Sequence, residues 1–187
     1  MDETQVRAVI QRWLDAVIIG LNVCPFAAPV VQRGALRMAV CEVETPEDAL
    51  RAASAEAMVL LDASPDDIAT TLVIFPHAVD DFETFLDVAA TLEDLLAEAG
   101  ADGVLQVATL HPGYRFDGVP ADDLGNWTNR APFPILHLLR EAHVTDAIDQ
   151  HPDVDGIPAA NIARMNSLGR EGLVSLWASF QREGGVA

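Results

Sequence analysis

The chain has 187 residues, 50% of them hydrophobic, enough to bury a core of its own, and one domain over residues 1–187 is the expected count. Acidic residues number 29 against 11 basic ones, all of them arginine, and the formal charge of −18 repels a nucleic-acid backbone or an anionic membrane. The N-terminus is acidic and amphipathic and no apolar run approaches membrane-spanning length, so the expected location is the cytoplasm, where Cys24 and Cys41 stay reduced.

In chain order, Val6, Val9, Ile10, Trp13, Leu14, Val17, Ile18 and Leu21 recur at three- and four-residue spacing, which predicts an amphipathic helix over residues 4–19 with Gly20 near its end. Pro25 stops any continuation, so Asn22-Val23-Cys24-Pro25-Phe26-Ala27 reads as a loop. A cysteine in such a loop is either a nucleophile or ligand, activated by nearby positive charge, or a structural thiol wedged beside Phe26. Leu36–Val43 reads as a strand in which Cys41 is a small buried hydrophobe. Thr45 and Pro46 supply the cap and first position of a helix whose body is Ala49–Leu61. Thr70–Phe75 is a second strand, running into Pro76-His77. Asp80 caps a helix with Phe82, Phe85, Val88, Leu92, Leu95 and Leu96 as its stripe and Gly100 at its close, and Gly103–Leu110 is a third strand ending at His111. The order predicts an α/β fold: a small three-stranded βαβαβ layer flanked by helices, with an N-terminal helix and a helical C-terminal part. The pattern leaves the strand directions open.

Residues 111–133 show no helical or strand period, and a loop of that length in a compact domain is usually functional. Pro134 suits the first position of a helix that would gather Ile135, Leu136, Leu138, Leu139 and Ala142 on one face and His137, Arg140 and Glu141 on the other. Helices are also expected over Thr145–Gln150, Pro158–Leu168, closed by Gly169, and Glu171–Gln181.

The candidate chemistry concentrates around this segment. Residues 111–143 are near neutral on a strongly acidic chain and could admit a small anion, with Arg130 and Arg140 as planar clamps and Asn129, Asn22, Tyr114 and Arg115 as further binding groups. His111 and His137 are the candidate acid/base groups, with Cys24 and Glu141 beside them. Parallel strands would bring their carboxyl ends to one edge, where His77 and His111 could meet His137. His143 and His151 read as surface residues. Ligation of a divalent metal by His111, His137 and Glu141, with Cys24 as a fourth group, is chemically feasible, and the cofactor stays unassigned. No paired zinc motif, phosphate-binding glycine loop, dinucleotide fingerprint or nucleophile elbow is present.

The combination of Leu21-Asn22-Val23-Cys24-Pro25-Phe26-Ala27, Gln106 before His111-Pro112, Tyr114-Arg115-Phe116, Asn129-Arg130-Ala131-Pro132-Phe133-Pro134 and His137-Leu138-Leu139-Arg140-Glu141 resembles a family of bacterial proteins of about this length, also found in plants and catalogued as a domain of unknown function. The resemblance covers nearly the whole chain and implies that Asn22, Cys24, His111, Asn129, Arg130, His137 and Arg140 belong to one signature. It brings no reaction with it. The expectation is an enzyme acting on a small anionic carboxylate or phosphate metabolite through a His/Arg/Asn/Cys pocket, metal-assisted or not. The alternative is a non-catalytic protein that binds a small molecule, haem or metal, or an interaction module with a structural polar network. Oligomeric state is not read from the sequence.

Overall fold

In the computed structural model, which describes residues 1–181, the chain opens with α1 (Glu3–Trp13). A capping box starts it: the Asp2 carboxylate accepts from the Gln5 N–H while the Gln5 side chain accepts from the Asp2 N–H. The apolar stripe continues into a π-helical stretch (Leu14–Ile19), and a short α2 (Ala27–Gln32) follows the Cys24 turn. Then come β1 (Leu36–Val40), α3 (Pro46–Asp62), β2 (Thr70–Ile74), α4 (Phe82–Glu98) and β3 (Leu105–Leu110), the alternation expected from the sequence. Thr45 caps α3 by accepting from the Asp48 N–H; Asp81, one residue later than expected, caps α4 through the Thr84 N–H. A 3-10 turn (Leu124–Asn129) interrupts the long segment after β3.

Residues 135–140 are a strand, β4 (Ile135–Arg140), and not the expected helix. The physical reason is burial on both sides. Leu136 and Leu138 enter one core, Ile135 enters the other, and a six-residue run apolar on both faces suits a central strand as well as one side of a helix. The fold is therefore α/β with a mixed four-stranded sheet, one strand more than the sequence pattern gives. Its order is β1-β2-β4-β3, with β1 parallel to β2 and β4 antiparallel to both its neighbours. β1, β2 and β3 consequently point the same way, and β4 runs back between β2 and β3.

One face of the sheet packs Val73, Leu136 and Leu138 against Ala53, Leu60, Phe85 and Leu92 of α3 and α4. The other packs Leu72, Ile74 and Ile135 against α1, the π-helical stretch and α6 (Ile157–Gln181), with Trp13, Met165 and Phe180 fully buried. Inside α6, Gly169 has φ 65° and ψ 171°, a conformation that glycine adopts without steric cost, so the element is two helices joined at the glycine predicted to end the first. Arg12 donates to the Phe180 carbonyl and ties the two ends of the chain together. Between β4 and α6 lies α5 (Glu141–Gln150), none of whose residues is buried. Among the described residues no helix is long and apolar enough to cross a membrane.

Arg140 closes β4 and donates to the carbonyls of Ile68 (3.2 Å), Leu60 (2.5 Å) and Ala63 (2.7 Å), satisfying the carboxyl end of α3. Replacing it with methionine keeps the stem and strips the donors. Arg140→Met should lower unfolding free energy by about 2–3 kcal/mol in urea titration, the loss expected when charge-assisted bonds to partly buried carbonyls disappear. A loss below about 0.5 kcal/mol, the range of ordinary surface substitutions, would mean that water satisfies these carbonyls equally well.

Candidate functional site

The face of the sheet opposite α3 and α4 is incompletely covered. Between it, the π-helical stretch, the Cys24 turn, α2 and α5 runs a cleft of about 790 Å³. Local sequence shapes each wall. At Gly20 an added Cβ would lie 2.6 Å from the Ala16 carbonyl oxygen, so the tight exit from the π-helical stretch excludes a side chain there. Asn22 then adopts φ 51°, a left-handed conformation that asparagine tolerates better than most residues, and the Cys24 N–H returns to the Ile18 carbonyl. This turn aims Val23 and Cys24 at the cleft. Apolar side chains dominate the walls, among them Leu14, Ile18, Leu36, Leu72, Leu139 and Val144.

His137 lies at the centre of the sheet, level with Leu72 of β2 and Ala108 of β3, and faces the cleft. Its Nε2 is 2.7 Å from Thr70 Oγ1, whose hydroxyl donates to the Leu138 carbonyl at 2.6 Å. Burial beside aliphatic neighbours disfavours the imidazolium and pushes the His137 pKa down to about 4, leaving the ring neutral at pH 7. Trp13 forms part of the same wall with 1% of its surface exposed, and its Nε1–H has no acceptor. Cys24 is half-buried there. Burial raises its pKa, outweighing the backbone N–H groups of Phe26 and Ala27 that favour the thiolate, so the expected activation by neighbouring cations does not occur.

Charge inside the cleft departs from that of the whole chain: its lining carries Arg33 and Arg140 against Asp146. Among the described arginines Arg33 alone has no side-chain hydrogen bond, ion pair or ring contact, and it is exposed at the rim. His143, on α5, and His151, packed edge-on against Phe26, also line the cleft. The sequence reading places both on the surface and passes over Trp13, Thr70 and Arg33. Only the helical stripe and the strand alternation hint at Trp13 and Thr70, and nothing in the local sequence singles out Arg33.

The remaining predicted residues lie elsewhere. His111 is buried between Phe82 and Phe85, with ring centroids 5.2 and 5.0 Å away; its Nε2–H donates to the Val79 carbonyl at 3.1 Å and its Nδ1 accepts the Gly113 N–H at 3.0 Å. Both ring nitrogens are thus occupied, and the bond steadies Val79, a β-branched residue held at φ 54°. Desolvation lowers the His111 pKa, partly opposed by that carbonyl. His77 is exposed on the turn before it. Arg130 stacks over Trp127 at 4.8 Å and donates to the carbonyls of Tyr114 and Ala121, pinning the long loop. It precedes β4 whereas Arg140 ends it, so the two guanidiniums are separated by a six-residue strand, roughly 20 Å at about 3.3 Å per residue, too far to clamp one small anion. Asn129 accepts from His111 N–H through its carbonyl; Tyr114 packs on Phe82 and Phe116; Arg115 pairs with Glu83 in solvent. Asn22 borders an adjoining pocket of about 180 Å³ with His151 and Arg164. Glu141 begins α5, its N–H bonded to the Val104 carbonyl. The feasible metal set is not assembled: among the described residues no three His, Cys, Asp or Glu side chains gather around a common point.

Since the folded-state pKa values of His137 and His111 lie below the value of about 6.5 in an unfolded chain, the unfolded chain binds more protons as pH falls. The contribution of His137 is complete above about pH 6.5 and is lost on the way down toward pH 4, at up to roughly 1.4 kcal/mol per pH unit, and that of His111 is lost in the same direction. Urea midpoints measured at pH 7, 6 and 5 should fall less steeply in His137→Gln than in the wild type. Parallel slopes would place the His137 pKa near its ordinary value.

No curated protein and no solved structure matches this chain. A family profile does, across residues 5–175, a span that takes in the cleft, the Cys24 turn and β4. The chain belongs to DUF1415, a family of proteins of unknown function.

Proposed function

We propose that the protein binds a small, largely apolar organic molecule carrying an anionic group, with its body against the sheet face and its charge toward Arg33. The observation that carries this reading is the makeup of one cleft: a volume within the range of small-molecule sites, aliphatic walls, few polar atoms and an unpaired guanidinium at the rim of a chain with net charge −18. The charge pattern favours an anion only at such a point, since the rest of the acidic surface repels it. A ten-carbon carboxylate burying about eight methylenes gains roughly 6 kcal/mol at about 0.8 kcal/mol each, before the costs of association, which predicts a Kd no tighter than tens of micromolar.

Calorimetric titration with decanoate and with decyltrimethylammonium tests the reading. Decanoate should bind, the cation of equal chain length should bind at least about tenfold more weakly, and Arg33→Glu should erase the difference. Decanoate should also slow alkylation of Cys24 by N-ethylmaleimide while leaving Cys41, on the far side of the sheet, unaffected. Equal binding of the two head groups would remove the anionic part of the proposal. Absence of both binding and Cys24 protection would remove the site.

Catalysis in the same cleft has one supporting observation, the hydrogen bond that His137 Nε2 makes to Thr70, which orients the ring as a second group orients a general base. The protonated thiol of Cys24 and the fully engaged His111 offer it no activated partner. In that reading His137→Gln retains the ligand and loses turnover.

A further inference from the structure

An apolar body and an anionic group leave unspecified what the ligand presents to the polar atoms deep in the cleft. The hydrogen-bond inventory of the wall supplies that. Thr70 has a single hydroxyl proton, and the Leu138 carbonyl, which can only accept, takes it at 2.6 Å. Toward His137 Nε2, 2.7 Å away, Thr70 Oγ1 therefore acts as acceptor, so the ring proton sits on Nε2 and Nδ1 keeps its lone pair. Among the described residues Nδ1 has no partner, and it is not among the atoms sealed from solvent without one, which are Trp13 Nε1 and Thr71 Oγ1. On a ring that lines the cleft, Nδ1 is thus an open acceptor.

The Trp13 indole belongs to the same wall, but its N–H is sealed from solvent and lies out of a ligand's reach. Thr71 faces the opposite core with Val73, so its orphaned hydroxyl is a separate matter.

We infer that the ligand of this cleft carries, besides its anionic group, a hydroxyl that donates to His137 Nδ1. This rests on the reading of the cleft as a ligand site given above. A hydroxyl is the smallest uncharged organic group that offers a donor to such an acceptor. A carboxylate at that depth would set lone pair against lone pair at Nδ1, and an ether or a plain alkyl end would leave the acceptor unsatisfied. The two polar ends of the cleft then fix the orientation: anion outward at Arg33, hydroxyl inward at the sheet. The substrate class is a hydroxy acid with an apolar spacer, aliphatic or aryl, in which the two functions sit at opposite ends.

The test compares decanoate, 10-hydroxydecanoate and 10-methoxydecanoate by calorimetry on the full-length protein. The hydroxy acid should bind at least about tenfold tighter than its methoxy analogue, because a site built to bond a donor rejects a ligand that lacks one. His137→Phe, which keeps a ring in place, should lose the preference for the hydroxy acid over its methoxy analogue. If decanoate binds the wild type but the hydroxy and methoxy acids bind equally, this inference is overturned and the reading of the cleft as an anion site stands. If none of the three binds, the underlying reading falls with it. Ring nitrogen resonances give a second measurement that does not depend on a variant of the sheet centre. On adding the hydroxy acid, His137 should remain protonated at Nε2 with Nδ1 shifted toward a hydrogen-bonded value. An Nδ1-protonated ring in the free protein would overturn the assignment.

Discussion

Everything in this fold depends on the insertion of β4 as an antiparallel strand between β2 and β3. A βαβαβ unit by itself would pair its three parallel strands; here the last strand to arrive fills the gap, hydrogen-bonded on both sides along its whole length. Its two faces serve different ends. Leu136 and Leu138 complete the core beneath α3 and α4, while Ile135, His137 and Leu139 lie on the face shared by the second core and the cleft. The strand brings a titratable ring into the middle of a sheet, a position where burial disfavours its charge and where a neighbouring threonine fixes its tautomer.

A second constraint is the use of arginine. The chain contains no lysine, and several guanidiniums are engaged by main-chain carbonyls: Arg12 with Phe180, Arg130 with Tyr114 and Ala121, Arg140 with the end of α3, Arg164 with Asn22, and Arg170 with Asp122. These oxygens lie in loops or near helix ends. A planar group with five donors can satisfy two or three of them from one side chain, and remains charged under any ordinary condition. On a chain with so many carboxylates, the cations hold backbone more often than they hold acid side chains.

How much of this could be read in advance varies with the range of the interactions involved. The helices α3 and α4 were legible because their signals are local: Thr45 with Pro46, an aspartate before the stripe, Gly100 after it. The strand β4 was not, because Pro-Ile-Leu-His-Leu-Leu-Arg satisfies a helical face and a two-faced strand alike, and the choice is made by β2, more than sixty positions away. In the site, the Cys24 turn and His137 stood out by residue type and neighbouring prolines. Thr70 and Trp13 acquire their roles only through register and helix placement. Arg130 and Arg140 were recognised as important for the right geometric property, the fork of donors, but that fork fits a carbonyl cluster as well as an anion, and sequence does not tell the two apart.

The exposure of α5 has a consequence for how the molecule behaves in time. A ten-residue helix is marginal by itself in water, and this one buries no residue completely, so it draws its order from the strand that leads into it and from the single bond between the Glu141 N–H and the Val104 carbonyl. Local opening of such an element costs far less than global unfolding. Because α5 forms one wall of the cleft while both cores are built from other elements, partial undocking of this helix would open the cleft with the sheet and its two cores left intact. The parts of the chain that set its lifetime as a folded object are thereby distinct from the part that would set how fast the proposed ligand enters and leaves.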